Sequence, residues 1–179
     1  MDTLLFSSRS IWTMVHGIAL GGGGLLAVAA ALFALIAMRS THPGGAADAQ
    51  SRYLAWLLVA TAVLLWAAVI VGTYVSFPPY RATPPEGIAD LAAYPRALIR
   101  SNPATAWLHS YAMESKEHMP WMAAMLATGV AYVAARYRSQ LLSDDRLRRI
   151  GVSMLTLTLA LVAGVSFLGI LINKVAPLE

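Results

Sequence analysis

Four long runs of apolar residues, separated by short polar or turn-rich stretches, dominate the chain. They cover 11–38, 53–75, 119–137 and 150–173, and each can supply the roughly 20 helical residues that cross a bilayer. No strand-like alternation competes with them. In hydrocarbon only helices and closed barrels satisfy every backbone polar group. The pattern therefore predicts an all-α polytopic membrane protein. It is a single transmembrane domain over 1–179, built as a four-transmembrane-helix bundle, with Ser10 as N-cap of the first span.

The connections between the runs set the rest of the architecture. The first, 39–52, is turn-rich (His42-Pro43-Gly44-Gly45), and the third, 136–149, carries Arg136, Arg138, Arg146, Arg148 and Arg149. The positive-inside rule places both in the cytoplasm and both termini on the outer side. The second connection, 76–118, is the long outer loop. Pro78-Pro79 and Pro84-Pro85 stiffen it. Gly87–Arg100 reads as a short amphipathic surface helix interrupted by Pro95, with Ile88, Leu91, Leu98 and Ile99 towards the membrane. Asn102-Pro103 starts a second helix that leads to the third span. Trp12, Tyr74, Trp107, Tyr111 and Trp121 form an outer aromatic belt.

Small residues mark the packing faces. Ala124, Thr128, Ala131 and Ala135 share one face of the third span, and Ser153, Thr156, Ala160 and Gly164 one face of the fourth. Small faces let helices approach closely. Gly21-Gly22-Gly23-Gly24 costs about 1 kcal/mol per glycine against alanine, so close helix contact or a flat macrocycle must compensate.

Composition sharpens this picture. The chain has 179 residues, 58% of them hydrophobic and 12% charged, half the charged share of a soluble domain. It has no cysteine, which excludes disulfides, thiolate metal sites, Fe–S clusters and covalent c-type haem. The net charge of +4 sits where a lipid surface, not nucleic acid, would meet it. The first apolar run is too long for a cleaved signal peptide. There is no Walker loop, nucleophile elbow or HExxH motif. No span carries a mid-membrane acid or base of the kind an ion carrier uses.

Candidate chemistry concentrates in Tyr111–Trp121, where Glu114, Lys116, Glu117 and His118 stand at the edge of the third run. His16 lies six residues into the first, about 9 Å along the axis. The histidines lie about 13 Å and about 15 Å from their span midpoints towards the outer face. Imidazoles at similar depth on two helices suit the axial ligation of one haem b. Alternatively, Glu114 and His118 share a helix face, and with His16 make a two-histidine, one-carboxylate metal set for a non-haem iron enzyme. A histidine and a carboxylate beside Trp121 also suit a quinone head group. The bland readings are a core histidine at His16 and a solvated collar at His118. Lys116 and Lys174 read as snorkelling, and His109 and His42 as exposed.

Lys116-Glu117-His118-Met119-Pro120-Trp121, with His16-Gly17, resembles small bacterial four-helix membrane proteins that carry a histidine in each of two spans. In architecture the chain also resembles b-type cytochrome and haem-anchoring subunits of respiratory complexes. The resemblance implies a subunit of an electron-transfer assembly in the bacterial inner membrane, among lipids and other membrane subunits. His16 and His118 would hold one b-type haem or border a quinone site. The alternative is a cofactor-free structural accessory subunit.

Overall fold

The computed structural model describes residues 7–38 and 45–177, and among them there is no strand. Six helices carry the fold. α1 is Ser8–Ala37 and α2 runs from Gly45 to Tyr80. The outer connection holds α3, Pro95–Ser101. α4 is Glu114–Arg136, α5 Arg138–Ser143 and α6 Asp145–Val175. Three stretches, Ser8–Ala37, Asp48–Tyr80 and Asp145–Val175, are long and apolar enough to cross a membrane. Large apolar side chains face outward from them, among them Leu26, Phe33, Trp56 and Phe167. Exposed apolar surface of this extent belongs in lipid.

The four long helices pack as a closed ring in the order α1, α2, α4, α6. Leucines and alanines fill the middle. Leu35, Leu58, Leu155, Ala124, Ala127 and Val130 belong to one buried cluster. α4 is less apolar than its neighbours because its small residues face protein, where van der Waals contact replaces bulk. Its buried face is Ala123, Ala124, Ala127, Val130, Ala131 and Ala134. Ala124 and Ala131 are thus placed as expected, but Thr128 and Ala135 are exposed. On α6 the expected stripe of Ser153, Thr156, Ala160 and Gly164 faces outward altogether. Gly151, Leu155, Thr158 and Val162 pack instead. Residue size alone did not fix the rotation of these helices.

Local chemistry sets the ends. Ser7, not Ser10, caps α1: its hydroxyl accepts from Ser10 N at 3.1 Å, and Ser10 is buried in the first turn. Asp144 caps α6 by accepting from Arg146 N and Leu147 N at 2.8 and 3.1 Å. α2 begins well before residue 53, and Asp48 pairs with Arg52 one turn later at 2.7 Å. His42 lies outside the described residues. In the outer connection Gly87 has φ +80°, and the helix forms only from Pro95 onward. Pro95 therefore opens α3 where an interruption was expected, since its missing N–H is spared at a first turn. Ile99, expected to face lipid, is fully buried with Tyr80, Leu108 and Ile172. Asn102 Oδ1 accepts from Ala104 N at 2.9 Å, but the helix towards α4 starts a few residues later than Pro103. Pro120 sits inside α4 without ending it.

The start of α1, the end of α2, α3 and the start of α4 gather at one end of the bundle, the terminal end. Among the described residues the π-helical segments all lie at this end. The π-helical segments are Val15–Gly22 in α1, Gly72–Ser76 in α2 and Leu108–Met113 ahead of α4. Such segments occur often at functional sites.

Candidate functional site

Two glycines at the terminal end make room for polar side chains from other helices. A Cβ on Gly72 of α2 would fall 2.6 Å from Cε1 of His16. A Cβ on Gly169 of α6 would fall 2.6 Å from Nζ of Lys116. The imidazole and the ammonium each occupy a notch that any larger residue would fill. His16 is half-buried on its π segment, and its Nδ1 is occluded with no hydrogen-bond partner. The Ala68 carbonyl, one turn before Gly72, and the Lys116 ammonium act on the ring.

Lys116 is half-buried too. It turns into the bundle towards Gly169, where snorkelling to the headgroups was expected. Among the described residues the ion pairs are Asp48–Arg52 and Asp145–Arg148, so no carboxylate neutralises Lys116. Pro120, one turn on, removes the N–H that would otherwise bond the Lys116 carbonyl. The orphaned imidazole nitrogen weakens the fold. An occluded polar atom without a partner costs about 1–3 kcal/mol.

A groove of about 380 Å³ opens between the start of α1 and the end of α2. Arg9, Trp12 and Thr13 of α1 line one wall, and Val75, Ser76 and Pro79 of α2 the other. Ser76 Oγ is occluded and unpartnered. His16 lies one turn beyond Thr13, and Gly72 one turn before Ser76, so the groove leads along both helices towards the imidazole. Arg9 holds the outer connection over this end by donating from Nη1 to the Ala93 carbonyl at 3.3 Å.

His118 is placed differently. It is exposed, and its Nδ1–H donates to the Glu114 carbonyl at 2.8 Å. Glu114 is exposed beside it, so the two share a face as expected. That face is not the one that meets His16: two residues along an α-helix turn about 200°, and Lys116 takes the inward direction. Among the described residues no three His, Asp or Glu side chains gather to hold a metal ion. His16, Glu114 and His118 are therefore not brought together as one ligand set.

Trp12, Tyr74, Trp107 and Tyr111 are exposed, as a belt requires. Trp121 is half-buried and meets Trp66 edge-on, with ring centroids 5.6 Å apart. Trp66 in turn donates from Nε1 to Thr128 Oγ1 at 2.9 Å. His109, expected to be exposed, is half-buried and hydrogen-bonded through Nδ1 to Tyr80 Oη at 3.1 Å. Partial burial and the nearby Arg96 and Arg100 hold its pKa below the usual histidine value, against the opposing effect of Glu114. Gly72, Gly169 and Ser76 went unnoticed in the sequence. The available signal was an isolated glycine in each of two spans, level with a polar residue on another.

No protein-family model, curated protein or solved structure matches this chain.

Proposed function

We propose that the chain is a four-span membrane subunit of an electron-transfer assembly, with both termini on the outer side, and that it binds a quinone-type head group at the terminal end. The observation that carries this reading is the pair of glycine notches seating His16 and Lys116 without a carboxylate partner. A quinone oxygen accepts hydrogen bonds and gathers negative charge on reduction, which an ammonium stabilises. An imidazole beside it gives or takes the accompanying proton. The lateral groove at Trp12 and Ser76 admits a ligand dissolved in the bilayer. Uncompensated polar groups inside a membrane bundle are costly and mark functional sites.

The test is a titration of the detergent-purified chain with a short-chain quinone, read by quenching of Trp12 fluorescence with Trp12→Phe as the control. Saturable quenching, weakened at least about tenfold in His16→Phe and in Lys116→Met, is expected. No saturable binding would return the chain to a cofactor-free accessory role.

One observation favours a second reading. His118 donates Nδ1–H to a backbone carbonyl and leaves Nε2 facing outward, the arrangement common to metal-ligating histidines. In that reading His118 offers one axial ligand to a haem b shared with a partner subunit. A reduced-minus-oxidised absorption spectrum of the isolated assembly, with bands lost in His118→Ala and kept in His16→Ala, is its signature.

A further inference from the structure

A second polar cluster lies outside the His16–Lys116 site, under the outer connection. Its centre is the Tyr80–His109 hydrogen bond, with the two ring centroids 6.1 Å apart. α3 packs against the Leu108–Met113 segment that carries His109. The same helix buries Ile99 against Tyr80. That packing fixes α3 over the Tyr80–His109 pair. Arg96 and Arg100 stand one turn apart on α3 and so share a face. Both act electrostatically on Tyr80 and on His109. Arg81, one residue past α2, also acts on His109, and its guanidinium lies 5.4 Å from the Phe77 ring centroid. Glu114 bears on His109 and Glu117 on Tyr80, yet neither comes within ion-pair distance of an arginine. Arg96 Nε is occluded and has no hydrogen-bond partner.

Arg96 thus keeps an occluded donor without an acceptor beside a hydroxyl–imidazole pair on which Arg100, and for His109 Arg81, also act. We infer that Arg81, Arg96, Arg100 and His109 form a binding site for a phosphate group, either the headgroup of an anionic lipid or free phosphate. The planar fork of arginine matches two phosphate oxygens at once, which an ammonium cannot do. A carboxylate partner from the chain would have filled the Arg96 donor. An external oxyanion fills it and relieves the repulsion among the guanidiniums. His109 and the Tyr80 hydroxyl complete the donor set without requiring a further charge. This site is independent of the quinone reading, and either stands if the other fails.

The experiment follows the His109 ring by NMR in the full-length, detergent-purified chain, with His109→Gln to assign its signal. Inorganic phosphate is the first probe. The second is nanodiscs of phosphatidylglycerol compared with phosphatidylcholine. An oxyanion among the guanidiniums favours the imidazolium, so the His109 pKa rises by about 0.5 or more. A saturable rise with free phosphate supports the site and identifies a soluble ligand. A rise in phosphatidylglycerol alone supports it and identifies a lipid headgroup. In either case the response is lost in Arg96→Gln/Arg100→Gln and weakened in Arg96→Lys, which keeps charge without the fork. Absence of a rise with both probes in the unmodified chain overturns the site. So does a rise that persists in the double variant.

Discussion

At the end of the bundle where α5 turns the chain, apolar side chains close over one another between regular α-helical turns. Leu35, Val130 and Leu141 meet over Gly151, where a Cβ would stand 3.2 Å from Leu35 Cδ2. Asp144 caps α6, and Asp145 pairs with Arg148 beside it, although Arg148 Nη1 is occluded there without a partner. At the terminal end the corresponding space holds an imidazole, an ammonium and a hydroxyl. His16 Nδ1, Ser76 Oγ and Arg96 Nε are occluded there without partners. Glycines serve opposite purposes at the two ends. Gly151 admits leucine and valine, whereas Gly72 and Gly169 admit His16 and Lys116. One end therefore supplies stability and the other holds chemistry at the expense of stability.

The largest effect should come from the packed end. Leu155 is fully buried, and Leu155→Ala is expected to cost about 2–5 kcal/mol through lost contacts and a residual cavity. Denaturant unfolding in micelles measures it. A loss below 1 kcal/mol would erase the contrast between the ends. Next is Gly72→Ala. The new methyl displaces the flexible end of His16 while favouring helix, so unfolding should shift by less than about 1 kcal/mol. Quinone affinity should nonetheless fall about tenfold or more. A variant that binds as well as the original chain would show that the notch has no role in binding. Asp144→Ala removes two hydrogen bonds from the start of α6 and should cost about 1 kcal/mol, without altering binding.

The smallest effect is a pH dependence at His109. Burial and then Arg96 and Arg100 favour its neutral form in the folded chain. Its folded pKa lies below the unfolded value of about 6.5, so the folded chain binds the proton less readily. Its contribution to stability is full above that unfolded value and is lost as pH falls through the folded pKa. Thermal stability should therefore decline on acidification through this window, and less so in His109→Gln. An equal slope in that variant would remove His109 as the cause.

Periodicity and length made the helices legible, because a bilayer-spanning run leaves little choice of backbone. The extra helical turns at each end were not, since Asp48, Arg52, Glu114 and Arg146 look like loop residues until their caps and pairs are seen. The expected packing stripe on α6 failed for a different reason. Ser153, Thr156, Ala160 and Gly164 are small, but in lipid both faces of a span are apolar, and size alone does not say which face meets protein. His16 was legible as a candidate and its partner was not. Similar depth pointed to His118, whereas the helix rotation brings Lys116 inward. Within the glycine run, Gly23 and Gly24 make close contact with α2, with Leu65 Cδ2 3.0 Å from a Cβ on Gly24, while Gly21 and Gly22 meet no other helix. The structural roles of Gly72 and Gly169 depend on side chains far away in sequence, which no local pattern encodes.

The most direct test of the central claim is the melting temperature of Lys116→Met, with and without a short-chain quinone. Methionine keeps the unbranched stem and removes the unneutralised charge. If the terminal end gives up stability for binding, the variant melts higher than the unmodified chain without ligand, and quinone no longer raises its melting temperature. A variant that melts lower, and still gains as much from quinone as the unmodified chain, would contradict the account and make Lys116 a structural residue.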